Sequence, residues 1–285
     1  MKPMWTRASA MALVSLALSG TVVGASAQEA GKEHEAQIEG KESASSSSFH
    51  VGSFRSWIFR SFMVDEGDDA LTLGLELESY LGLGGYQVKN IAYIELDDYP
   101  RAIPGQPPGN PAPDTAAVSG VSDLLTGFWV SKQGGHHGKH HFAPGIAMQF
   151  PTATSETLGS GKWSIGPSFD YEYENGDLFA GAIALQIWSF AGDSDRKSVS
   201  MLMIKPFVYY ALSDSFDLMY VPYGISVYWN KPSGEKMYLP IGGGAQYKTS
   251  LGSLGLNLGA QLFNNVVRPT KGTVWDLRFL VELVF

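Results

Sequence analysis

Histidine can hold a transition metal or move a proton near neutral pH, and four of the six histidines here crowd into HHGKHH: His136, His137, His140 and His141. No cysteine or carboxylate accompanies them, so a polar turn accounts for the cluster better than a metal centre does, and no metal is expected. The other two, His34 and His50, lie near the start of the chain, so no histidine sits on a well-defined strand as a general base beside a nucleophile. GSGK at 159–162 has the look of a phosphate loop, but Trp163 stands where Ser or Thr is needed and opens a strand rather than a helix. These residues imply neither an enzyme nor a cofactor.

A second set of charged residues is placed by period-two patterning. In ALTLGLELES, Leu71, Leu73, Leu75 and Leu77 share one face, and Glu76 and Glu78 lie on the other. In WSIGPSFDYEYE, Asp170 and Glu172 oppose Trp163, Ile165, Phe169 and Tyr171. In TVWDLRFLVELVF, Asp276, Arg278 and Glu282 oppose Trp275, Leu277, Phe279 and Val281. LGLNLGAQL alternates in the same way, with Leu254, Leu256, Leu258 and Leu262 opposite Asn257, Gly259 and Gln261.

The elements that would position these residues are strands of about ten residues separated by turn residues, as in a transmembrane barrel. Segments near 54–64, 88–96, 121–131, 140–150, 177–190, 198–211, 216–229 and 237–249 complete about 12 strands, with the register of the first four left open. The chain is therefore expected to be all-β, a transmembrane antiparallel up-and-down barrel. Short turns at 174–177, 213–215 and 250–253 would mark one end, and long connections such as 97–120 and 151–161 the other. The stretch 132–140 is too long for the short-turn end. Aromatic girdles are expected at both rims: Trp163, Trp188, Trp229, Tyr238 and Trp275 at the outer, and Tyr171, Tyr173, Tyr209, Tyr220, Tyr247 and Phe285 at the inner. GGG at 242–244 marks a close approach by a neighbouring group.

In such a barrel Glu76, Glu78, Asp170, Glu172, Asp276, Arg278 and Glu282 are the pore-lining candidates. Two readings stay open: an acidic, hydrated lumen that disfavours anions, or a filled lumen whose charges form a structural ion-pair network.

The flanks suggest export. Residues 1–27 carry Lys2 and Arg7, then a short apolar run, then Ala25-Ser26-Ala27, the form of a cleaved signal peptide. Residues 28–49 are charged and serine-rich and are expected to be a disordered lead-in, leaving 50–285 as the barrel. Taking Lys2 and Arg7 from the 20 basic residues leaves 18 against 28 acidic, about -10, which argues against nucleic acid. The absence of cysteine excludes a disulfide-stapled scaffold.

QFPTATSETLGSGKWSIGP, WSFAGDSDR, YLPIGGGAQYK and FNNVVRPTKGTVWDLRF resemble successive motifs of the outer-membrane barrel family of the meta-pathway of phenol degradation, a transporter family. The resemblance covers roughly residues 60–285. It implies a bacterial outer-membrane barrel, a porin-like passive channel for small molecules, among them aromatic or hydrophobic compounds. The alternative is a non-conducting structural or surface-interaction barrel with a side-chain-filled lumen. Expected partners are outer-membrane lipid and lipopolysaccharide, the assembly machinery and a small-molecule substrate. The final Val281, Leu283 and Phe285 resemble the terminal signature that this machinery reads in outer-membrane barrels. Deleting Phe285 is expected to lower the amount of folded barrel recovered from the outer membrane; a heat-modifiability assay showing normal accumulation would contradict that role.

Overall fold

The computed structural model describes residues 48–62, 69–99, 117–132, 139–270 and 272–285. The expected signal peptide, most of the lead-in, His136 and His137 lie outside these residues. The described chain is all strand and connection. Its strands are β1 (Ser48–Phe62), β2 (Ala70–Leu83), β3 (Tyr86–Tyr99), β4 (Val118–Val121), β5 (Leu124–Lys132), β6 (His140–Phe150) and β7 (Lys162–Asn175). They continue with β8 (Leu178–Gly192), β9 (Ser200–Ser213), β10 (Phe216–Tyr220), β11 (Ile225–Tyr228), β12 (Met237–Leu251), β13 (Leu254–Val267) and β14 (Trp275–Val284).

Fourteen strands make twelve staves, because β4 and β5 are two halves of one stave beside β3, and β10 and β11 are two halves of one between β9 and β12. Every pairing is antiparallel, and β14 returns to β1 over a ladder from Ser53↔Val284 to Phe62↔Trp275. The barrel is closed. At the seam a bulge at Gly52 frees its carbonyl, which accepts the Phe285 N–H at 3.0 Å. Closure leaves no edge, the condition for a sheet in lipid.

The two ends differ as the loop lengths require. Turns at Gly84-Gly85, Gly176-Asp177, Asp214-Ser215 and Gly252-Ser253 define the turn end, and Gly84, Gly85, Gly176 and Gly252 take positive φ there. Lys132 and His140, which bound the stretch 132–140 that resisted a short turn, also lie at this end, and 133–138 fall outside the described residues. The opposite, loop end carries 151–161. That loop is fastened: Thr154 N donates to Val121 O at 3.0 Å, and the Asp123 carboxylate accepts from Ser160 N and Oγ and from Gln149 Nε2 at 2.7 to 2.9 Å. Leu158 of the loop packs on Ala70 and Tyr99.

Alternation sorts the side chains. Leu77, Phe169, Leu258, Leu262, Phe279 and Val281 stand exposed on the outer surface, while Thr72, Glu76, Ser168, Asp170, Gln261 and Glu282 are buried within. A soluble protein would do the reverse, so the outer band is the lipid face. Trp163, Trp188, Trp229 and Trp275 sit exposed near the loop end; near the turn end Tyr247 and Phe285 are exposed and Tyr171 and Tyr173 half-buried. Tyr209 and Tyr238 depart from the expected girdles. One residue of register sends each inward, Tyr210 taking the outer position on β9. Tyr220 departs as well: its hydroxyl donates to Pro240 O at 3.1 Å, and its ring meets Phe263 edge-on at 5.7 Å. Beside it lies the triglycine of β12, where a Cβ on Gly244 would collide with Ala260 O.

Leu258 lies mid-strand, 43% exposed. Leu258→Arg is expected to lower urea stability in lipid vesicles by about 2 to 4 kcal/mol, and an unchanged unfolding midpoint would contradict its lipid-facing placement.

Candidate functional site

The site is the lumen. Opposite staves have five others between them on either side, so a contact between β2 and β9, or between β3 and the β10–β11 stave, crosses the interior. Both crossings are made. Lys205 of β9 reaches Glu76 of β2 at 3.1 Å, and Tyr223, in the break between β10 and β11, meets Tyr93 of β3 with ring centroids 6.2 Å apart.

All seven pore-lining candidates point inward. Glu76, Glu78, Asp276, Arg278 and Glu282 are buried, Asp170 is 0% exposed, and Glu172 is half-buried. All of these carboxylates except Asp276, which accepts from Ser61 and Asn265, are accompanied by cations that the sequence pattern left unplaced. Arg55 binds Glu282 at 2.5 Å, Glu76 at 2.8 Å and Glu78 at 3.4 Å. Lys89 binds Glu172 at 2.8 Å and Asp170 at 3.1 Å, and Lys248 binds Asp217 at 2.7 Å. Neutral donors finish the set: Tyr80 Oη donates to Glu78 at 2.6 Å and Asn257 Nδ2 to Glu282 at 2.7 Å. Buried carboxylates persist only with such partners. Arg55, Lys89 and the buried Glu95 escaped the sequence reading because the register of β1 and β3 was open, and the buried Asp97 because it was assigned to the connection 97–120, whereas β3 runs on to Tyr99.

Two cavities occupy the interior. The larger, about 560 Å³, lies toward the turn end and is lined by Arg55, Trp57, Glu76, Lys89, Lys205 and Tyr209 among others. The smaller, about 70 Å³, lies toward the loop end among Glu95, Tyr99, Tyr228, Tyr238 and Asp276. Their linings share three residues: Phe59, Tyr223 and Arg278. These form a septum. Phe59 and Tyr223 meet edge-on at 6.2 Å, and the Arg278 guanidinium lies 4.5 Å from the Phe59 ring, 5.2 Å from Phe263 and 5.8 Å from Tyr223.

The septum exists because one stave breaks. β12 pairs with β10 as far as Met219 and with β11 from Ser226, so the intervening residues leave that ladder. Pro222 has no N–H to lose there, and Gly224 takes φ +154. Val221 would be stranded, but Gln261 of β13 answers both of its backbone groups: Oε1 accepts from Val221 N at 2.8 Å, and Nε2 donates to Val221 O at 3.3 Å. The sequence signal was VPYG in the middle of an otherwise regular segment.

His140 and His141 face opposite sides of β6. His140 is on the outer surface and shares a 3.0 Å hydrogen bond with Tyr171 Oη, whereas His141 lines the large cavity. The two therefore do not converge on one ion. Among the described residues no group of three or more His, Cys, Asp or Glu side chains could hold a metal.

Comparison with solved structures places this architecture. An outer membrane channel from Pseudomonas putida F1 is similar over 86% of this chain and 98% of its own, with a TM-score of 0.53 at 10% identity. The likeness shows the fold. The NanC porin aligns over 83% of this chain and 99% of its own, with a TM-score of 0.48 at 11% identity. No family model and no curated protein sequence matches the chain.

Arg55 joins three carboxylates, so Arg55→Gln leaves them facing one another. The variant is expected to lose roughly 3 kcal/mol of stability, with part regained on adding Glu282→Gln. Urea unfolding in vesicles measures both, and equal stability of wild type and Arg55→Gln would contradict the network.

Proposed function

We propose that the protein is a passive channel of the bacterial outer membrane for small molecules, with aromatic or other hydrophobic compounds as the substrate class. One observation carries the reading: two cavities in succession inside a closed barrel, with shared walls formed by Phe59, Tyr223 and Arg278. A barrel built only as a scaffold has no need of a hollow of about 560 Å³. The chamber joins aromatic walls to the ion pairs of Arg55, Lys89 and Lys205, which suits a ring-bearing solute with polar substituents. Similarity to an outer membrane channel of Pseudomonas putida accords with a channel role, and the residues resembling the phenol meta-pathway family accord with an aromatic solute. Export by a signal peptide, insertion through the assembly machinery with Phe285 as part of the signal, and contact with lipopolysaccharide belong to the same proposal. So does the absence of an enzymatic role, which rests on the sequence reading that places no histidine on a well-defined strand as a general base beside a nucleophile.

The alternative, a non-conducting barrel, draws on the buried cluster of Ala147, Leu185, Ile187, Met201 and Met203, which fills one side of the interior. Swelling of proteoliposomes separates the two. A phenyl glucoside is expected to enter faster than a disaccharide of similar mass, and entry of neither above the protein-free rate would favour the filled barrel.

A further inference from the structure

Arg278 is 4% exposed, and among the described residues its guanidinium makes no ion pair or hydrogen bond. By contrast, the inward cations Arg55, Lys89, Lys205 and Lys248 each bind at least one carboxylate, Arg55 and Lys205 sharing Glu76. Three aromatic faces lie against Arg278: Phe59, Phe263 and Tyr223. Its Nε is buried without an acceptor. A desolvated guanidinium has five N–H donors in a planar fork, and leaving them unanswered is costly. Its nearest acidic neighbours are engaged elsewhere. Asp276 accepts from Ser61 Oγ at 2.7 Å and from Asn265 Nδ2 at 2.9 Å, and Glu95 accepts from Tyr93 Oη at 2.8 Å. On the side of the large chamber, Glu76, Glu78 and Glu282 are held by Arg55.

We infer that Arg278 anchors a ligand site for a one-ring aromatic carboxylate, the carboxylate on the guanidinium and the ring in the large chamber against Phe59, Tyr223 and Trp57. The arginine supplies a bidentate partner and the rings supply apolar contact, and neither alone selects this class. The volume of the chamber, about 560 Å³, is in the range of small-molecule sites. The inference deepens the channel reading and rests on it for the ligand's route of entry.

The test is calorimetric titration of the full chain folded in detergent micelles with benzoate, benzylammonium and acetate. Benzoate is expected to bind at least about tenfold more tightly than either of the others, and Arg278→Met is expected to weaken it by about tenfold or more, with Arg278→Lys between. Equal or tighter binding of benzylammonium, or no heat with benzoate, overturns the site. So does undiminished benzoate binding by Arg278→Met. If that variant does not fold, the three-ligand comparison on the wild type decides alone. Glucoside flux without benzoate binding would sink the site and leave the channel standing, whereas benzoate binding without flux would do the opposite.

Discussion

Hydrocarbon offers a backbone N–H or C=O no partner, and this constraint governs the whole molecule. It forces the sheet to close, and the β1–β14 ladder with the Phe285 N–H on Gly52 O is where closure is completed. Closure in turn sorts the side chains, because a strand of period two that shows Leu to lipid must show its other residues to the interior. Twelve staves then gather many polar groups into one enclosed space. The ion pairs of Arg55, Lys89 and Lys205 follow from that enclosure.

The same constraint explains the septum. A stave can leave its ladder only if other groups satisfy the backbone, and the β10–β11 stave does so inside the barrel, where Gln261 reaches Val221 and Pro222 has nothing to donate. The break turns Tyr223 across the lumen toward Tyr93, and Arg278 comes to lie among rings rather than carboxylates. A local fault in pairing on one wall thus divides the interior in two.

Much of the fold was legible in the sequence because lipid imposes a strict rule. The alternation in LGLNLGAQL and WDLRFLVELVF settled which face of β13 and β14 turns outward, and the seven charged candidates lie on the interior side of their strands. The limits are equally physical. A one-residue slip reverses a strand, so the weak alternation of β1 and β3 hid Arg55, Lys89 and Glu95, and with them the pairing of the carboxylates, while Asp97 was hidden by ending β3 before it. The inward turn of Tyr209 and Tyr238 was lost for a similar reason, since an aromatic near a strand end suits a girdle or a lumen equally well. The septum depends on a glutamine two staves away, a relation that no local pattern carries. The segment 216–229 was read as one strand, although its VPYG carries the residues of a break.

The central claim is that Tyr223, held through Val221 by Gln261, closes the path between the two chambers. Single-barrel conductance in planar bilayers, comparing wild type with Tyr223→Ala, tests it most directly. The account predicts small or intermittent steps for the wild type and larger, sustained steps once the ring is removed. Identical conductance in the two proteins, or silence from both when correctly folded, would contradict it.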